Sequence, residues 1–95
     1  MSIPVNEQRN ATVTTVASSA TNVTILSASK RRLGFLVYND SNQKLYLKFG
    51  ATASTTDFTV AIASDSYYEA PLGYNGRVDG LWASVHGHAH ITEIF

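Results

Sequence analysis

All three histidines of this 95-residue chain fall within seven residues, Val85-His86-Gly87-His88-Ala89-His90-Ile91. Imidazole is the commonest metal ligand among side chains, so three at alternate positions raise the prospect of a metal centre and, through it, an enzyme. The backbone decides whether they can share an ion. On one regular strand alternate residues stand about 6.7 Å apart, which puts His86 and His90 about 13 Å from each other. Zinc, with bonds of about 2 Å, cannot be shared along such a row. A His-x-His pair can chelate if a third ligand arrives from another strand, and the nearby sequence offers only Glu93 and Asp79, neither placed to help. The spacing also fits a hairpin turning at His86-Gly87, because glycine accepts the positive φ that a two-residue turn needs. Ser84 then faces Ala89, Ala83 faces His90 and Trp82 faces Ile91. Trp82 and Ile91 go to the core, while His88 and His90 point outward with Thr92. Either way the histidines read as surface polar residues. The expectation is no metal ligand, no cofactor, and no stoichiometric zinc binding stronger than about micromolar.

Other catalytic chemistry is thinner. The run Lys30-Arg31-Arg32 precedes a strand and reads as a solvated entry. Asp40, Asp57, Asp65 and Asp79 lie in or beside turns, where aspartate satisfies backbone donors. No serine stands in a G-x-S-x-G elbow, and there is no glycine-rich phosphate cradle. The chain is read as having no catalytic residues and not being an enzyme. Seven basic residues balance seven acidic ones, which argues against a nucleic-acid partner, since phosphate binding needs a basic surface. Charged residues make up 15% of the chain, and ten Ser, ten Thr and eleven Ala take their place. Near-zero charge favours association over mutual repulsion. No apolar run approaches the roughly 20 residues of a membrane span, and "MSIPVNEQRN" lacks signal-peptide order. A soluble protein made in the cytoplasm without an export step is expected, with no membrane partner. The chain has no cysteine to form disulfides or a thiolate cluster.

The elements carrying these residues are strands. Period-two patterns with turn signals every eight to twelve residues point to an all-β sandwich, jelly-roll or Greek-key-like, of about seven or eight antiparallel strands. Residues Thr12–Ala17 and Asn22–Ala28 are β-branched; Leu33–Asn39 and Lys44–Gly50 follow, separated by "DSNQ". Leu45, Leu47 and Phe49 alternate with Lys44, Tyr46 and Lys48, one face buried and one exposed. In "DFTVAI", Phe58, Val60 and Ile62 are expected inward. "YYEAP" ends at Pro71, which cannot donate to a ladder. Asn75-Gly76 is a strong hairpin signal leading into "VDGLWASV", where Val78, Gly80 and Trp82 share a face. One domain spans residues 11–95, preceded by an extended N-terminal arm, residues 1–10, that fits no strand.

If Phe35 and Val37 face the core, Leu36 and Tyr38 face outward, and so does Tyr46 on what is read as the adjacent strand. Together they form a candidate contact patch, unless the protein's own loops cover it. Tyr67 or Tyr68 adds an exposed ring. In the arm, Ile3, Pro4 and Val5 make an apolar anchor suited to a neighbour's surface.

The segments Tyr38-Asn39-Asp40-Ser41, Leu45–Gly50, Tyr67–Pro71 and Gly80-Leu81-Trp82-Ala83 resemble small β-rich virion proteins of tailed bacteriophages. The resemblance covers roughly Leu33 to Phe95. It rests on turn and core patterns, none of them catalytic. It implies a capsid cement or decoration protein, often trimeric, on the outer capsid surface of the virion, with the major capsid protein and sister copies as partners. The alternatives are a head-fibre, neck or tail-tip module binding host surface or sugars through stacked aromatics, and a cupin-like metal enzyme with a deep pocket at His88 and His90.

Burying Ile3 and Val5 on a partner contributes about 1.5–3 kcal/mol each before ordering costs. That is enough to shift affinity many-fold and too little to define a fold. Deleting residues 1–10 should therefore leave thermal unfolding of the isolated domain nearly unchanged while reducing retention on undecorated particles in a co-sedimentation assay. A melting temperature many degrees lower would make the arm a core strand.

Overall fold

A computed structural model describes residues 9–95, and every element among them is a strand. β1 is Ala11–Ala17, β2 Val23–Leu26, β3 Gly34–Asp40 and β4 Leu45–Phe49. β5 is Val60–Ile62, β6 Tyr67–Glu69, β7 Val78–Trp82 and β8 His88–Ile94. Two four-stranded sheets result, ordered β1-β8-β3-β6 and β2-β7-β4-β5, with all pairing antiparallel. The pairs β1·β8, β2·β7, β3·β6 and β4·β5 are the rungs of one long hairpin, laid alternately in the two sheets. The contacts β8·β3 and β7·β4 knit the rungs together. This is the rolled-up double Greek key of an eight-strand jelly roll.

The topology corrects two expected hairpins. β7 is flanked by β2 and β4, and β8 by β1 and β3, so neither has a free edge for the other. The segment containing His86-Gly87 crosses between sheets, although Gly87 does take the left-handed backbone, φ 68°. Asn75-Gly76 likewise lies between β6 in one sheet and β7 in the other. Its carbonyls instead serve the loop after β2: Asn75 accepts from the Ser29 amide at 2.9 Å, and Gly76 from the Arg32 guanidinium. In both places the local turn chemistry is present, but the long-range partner wins.

The sandwich interior is filled from both sheets by Ile25, Phe35, Val37, Leu45, Leu47, Ile62, Val78, Trp82, Ala89 and Ile91. The alternation expected for β3 and β4 holds. In the segment before β5 it fails: Phe58 is 40% exposed, its ring meeting Tyr46 edge-on at 5.0 Å. At the other end of the chain, Asn10 and Phe95 exchange backbone hydrogen bonds of 3.3 and 2.9 Å. The last residue assigned to the arm thus continues the β1·β8 ladder, while Ile3, Pro4 and Val5 lie outside the described residues.

Four polar residues are buried among the described residues, Ser41 and three with larger side chains. Asn39 reaches from β3 into the interior, where its Oδ1 accepts the Trp82 indole N–H at 3.0 Å. Its Nδ2 donates to the carbonyls of Gln43, Ile62 and Ala63 at 2.7, 3.1 and 3.2 Å. Arg32 is not a solvated strand entry but wholly buried. It pairs with Glu93 at 3.1 Å, donates to the Ser27 carbonyl at 3.0 Å and lies over the Phe35 ring. Asp79 is likewise no turn residue. It sits within β7, closed over by a two-point contact from Arg77 at 2.7 and 3.0 Å and by Asn22 at 3.0 Å.

Replacing Asn39 with leucine keeps the volume, strands the Trp82 N–H and takes a donor away from the Gln43, Ile62 and Ala63 carbonyls, the last of which keeps the Ser66 amide. A buried unsatisfied group costs about 1–3 kcal/mol. For a domain of this size about 1 kcal/mol moves the melting temperature by roughly 4–8 °C. Asn39→Leu should therefore lower the melting temperature by about 10 °C or more, read by Trp82 fluorescence.

Candidate functional site

Register across the first sheet assigns its faces. Thr15, His90, Tyr38 and Tyr67 align in one row, and Val13, Thr92, Leu36 and Glu69 in the next. Ala17, His88 and Asp40 form the row at the sheet's end. The intervening residues, Val37, Asn39, Ala89 and Ile91, are fully buried, so these three rows face out. His88 and His90 do point outward with Thr92, as the alternation requires.

The third row brings together what the sequence separates by half its length. Asp40, the last residue of β3, is the direct cross-strand partner of His88. His88 Nε2 is 3.2 Å from Asp40 Oδ2, and His90 Nε2 is 3.1 Å from the same oxygen. The two imidazoles meet edge to face with centroids 4.7 Å apart. One ligand atom from each of the three residues lies within 4.8 Å of the other two. Around them, Thr15 Oγ1 stands 3.4 Å from His90 Nδ1, and the Tyr38 ring stacks on His90 at 6.2 Å. The side chains of His88, His90 and Asp40 are 41%, 38% and 45% exposed, so the cluster is open to solvent.

Two neighbours hold this end of the sheet. His86 stays out of the cluster: its Nδ1 accepts the Asn42 backbone N–H at 3.1 Å. Gly87 packs against the turn after β3, where a Cβ would come within 2.2 Å of the Asp40 carbonyl oxygen. Its own carbonyl accepts from the Ser18 amide at 3.1 Å, tying the end of β1 to the same place.

Asp40 is the residue that sequence reasoning missed. The outward alternation Leu36, Tyr38, Asp40 continues to the strand's end, which a reading of Asp40 as a turn residue, with Glu93 and Asp79 as the third-ligand candidates, overlooks. Glu93 faces inward to Arg32, and Asp79 belongs to the other sheet. The reasoning that only two histidines share a face without a third ligand is therefore overturned by the β3·β8 register. The cupin-like reading is also not met, because His88 and His90 stand on an outer sheet face rather than in a deep pocket.

The contact patch divides. Leu36 and Tyr38 belong to β3 in one sheet and Tyr46 to β4 in the other, so the strands are not adjacent and the residues face opposite sides. Leu36 and Tyr38 are half-buried beside exposed Val13 and Tyr67 on the face that carries the histidines. Tyr46 is covered in part by Phe58 and by the Lys44 ammonium, 5.9 Å from its ring.

Comparison with known proteins places the fold. No protein-family model matches the chain, and no curated protein matches it in sequence. Among solved structures, a chain from Bacillus endospore appendages, described as forming a novel family of disulfide-linked pili, superposes with a TM-score of 0.54. The match covers all of this chain and 96% of that one, at 15% identity. It is a likeness of fold.

The Gly87 position is directly testable. Gly87→Ala combines a disfavoured φ with a backbone clash and should cost about 1–3 kcal/mol. Denaturant unfolding should show that loss together with displaced His88 and His90 imidazole resonances. An unchanged midpoint would mean the crossing loop is free to move away from β3.

Proposed function

We propose that this protein is a structural subunit that works in an assembly of many copies and carries out no catalytic step. The observation carrying this reading is the edge strand β1. Its seven residues, Ala-Thr-Val-Thr-Thr-Val-Ala, contain no lysine, proline or other charge, and nearly all are exposed, Val13 at 63%. Among the described residues no strand pairs with its outer edge. Proteins that stay monomeric usually guard such an edge with charge, proline or a bulge, because a long bare edge recruits another chain. Zero net charge removes the long-range repulsion that would oppose association.

The assembly we propose is the outer surface of a bacteriophage capsid, which the protein decorates as a trimer bound to the major capsid protein. The resemblance of residues 33–95 to small phage virion proteins supports this, as does a jelly roll with an apolar segment ahead of its first strand. Decoration of this kind stabilises the shell by mass action, since the subunit binds assembled shell and not free capsid protein. A second reading, a subunit of a filamentous appendage, is favoured by the fold shared with the endospore-appendage chain. Without cysteine, this sequence would have to form a filament with no disulfide links.

The two assemblies separate in one experiment. Purified protein should bind and co-sediment with undecorated capsids and show no filaments by negative-stain microscopy; filaments formed by the protein alone would favour the appendage. The double change Ala11→Lys with Val13→Lys places charge on the bare edge without entering the core. Light scattering should then report a smaller species with an unaltered β spectrum. Unchanged association of that variant would remove the β1 edge from the contact.

A further inference from the structure

We infer that Asp40, His88 and His90 form a binding site for one divalent transition-metal ion of the zinc, nickel or cobalt class. The inference stands on the geometry of the cluster and does not depend on the proposed function. Zinc bonds to imidazole nitrogen and carboxylate oxygen are each about 2.0–2.2 Å, which places ligand atoms in a tetrahedron roughly 3.3 Å apart. The separations from Asp40 Oδ2 to the two Nε2 atoms are 3.2 and 3.1 Å. The donors are therefore already near the spacing of two edges of a coordination tetrahedron.

Strand geometry explains why these residues converge. His88 and His90, two apart on β8, lie on one face, and Asp40 stands directly opposite His88 on β3. A chelating His-x-His pair lacked only a ligand from a neighbouring strand, and the antiparallel register supplies it. Two imidazoles and one carboxylate suit zinc and its neighbours; magnesium and calcium take oxygen ligands.

The surroundings supply a second, independent observation. A ligating histidine presents one bare nitrogen to the ion and donates its other N–H to a fixed acceptor. His90 turns Nε2 toward the cluster and Nδ1 toward Thr15 Oγ1 at 3.4 Å, and Tyr38 stacked on the ring holds its plane. His86 is excluded, because its Nδ1 is occupied by the Asn42 amide. Three protein ligands on an open face leave a fourth position for water or for a donor from another molecule, the arrangement of an open zinc site rather than a closed structural one.

The test is calorimetric titration of the untagged full chain with Zn²⁺, repeated with Co²⁺ followed by visible absorption and with Mg²⁺ as competitor. One ion per chain is expected, with a dissociation constant of about 1 µM or tighter, a melting temperature raised by zinc and no displacement by magnesium. Asp40→Asn, His88→Ala and His90→Ala should each weaken binding by about hundredfold or more, beyond the tenfold to hundredfold typical of losing an outer partner. His86→Ala should leave it unchanged. All four positions are solvent-accessible, and the β spectrum of each variant establishes that it folds. No stoichiometric binding by the parent protein would overturn the site, as would binding retained in His88→Ala and His90→Ala or abolished in His86→Ala.

Discussion

The carboxamide of Asn39 holds the two sheets in one register. It leaves β3 in the first sheet, enters a space lined by leucine, isoleucine and valine, and bonds Trp82 of β7 in the second. Its amide hydrogens go to carbonyls at the end of β5 and in the turn before β4. A polar group in such surroundings is costly unless every partner is in place, so the arrangement tolerates little sliding of one sheet over the other. Because side chains alternate on a strand, an inward Asn39 also compels Tyr38 and Asp40 to face outward. The hydrogen bond that specifies the core thereby orients the carboxylate of the candidate metal site.

A second buried polar cluster fastens the opposite end of the sandwich. Arg32 turns inward and pairs with Glu93 near the end of β8 in the first sheet, while also bonding the Ser27 and Gly76 carbonyls beside β2 and β7 of the second. Ion pairs with a buried partner contribute modestly in net terms, since desolvation offsets attraction, but removing one partner is severe. Arg32 therefore secures loop placement more than overall stability. Backbone pairing with β1 and β3 holds β8 along its length, and Arg32 secures its far end through Glu93; β8 is the strand that carries His88 and His90.

Outside this frame the molecule is unusually bland: threonine, alanine and valine make up the β1 edge strand, and charge is sparse and balanced. That surface suits close apposition of copies better than capture of a small molecule. The aromatic and histidine rows share one outer face, beside the bare β1 edge. A contact along that edge, as proposed, would place a neighbour close to the candidate metal site on β8 and β3.

Fold class was legible in the sequence because period-two alternation is a local property. Eight strands, the inward set Phe35, Val37, Leu45, Leu47 and Trp82, and the outward set Leu36, Tyr38, His88 and His90 all follow from which neighbours are apolar. Pairing was not legible. Gly87 and Asn75-Gly76 carry the chemistry of tight turns whether the chain doubles back in one sheet or crosses to the other, and only remote strands competing for the edges of β7 and β8 decide. The same indeterminacy hid the burial of Arg32, whose acceptors lie up to 61 residues away. It divided Leu36 and Tyr38 from Tyr46, and it concealed that Asp40 stands opposite His88. The sequence by itself determined which side chains face out; the tertiary structure alone decided which of them meet, because register is set by long-range pairing and not by neighbours in the chain.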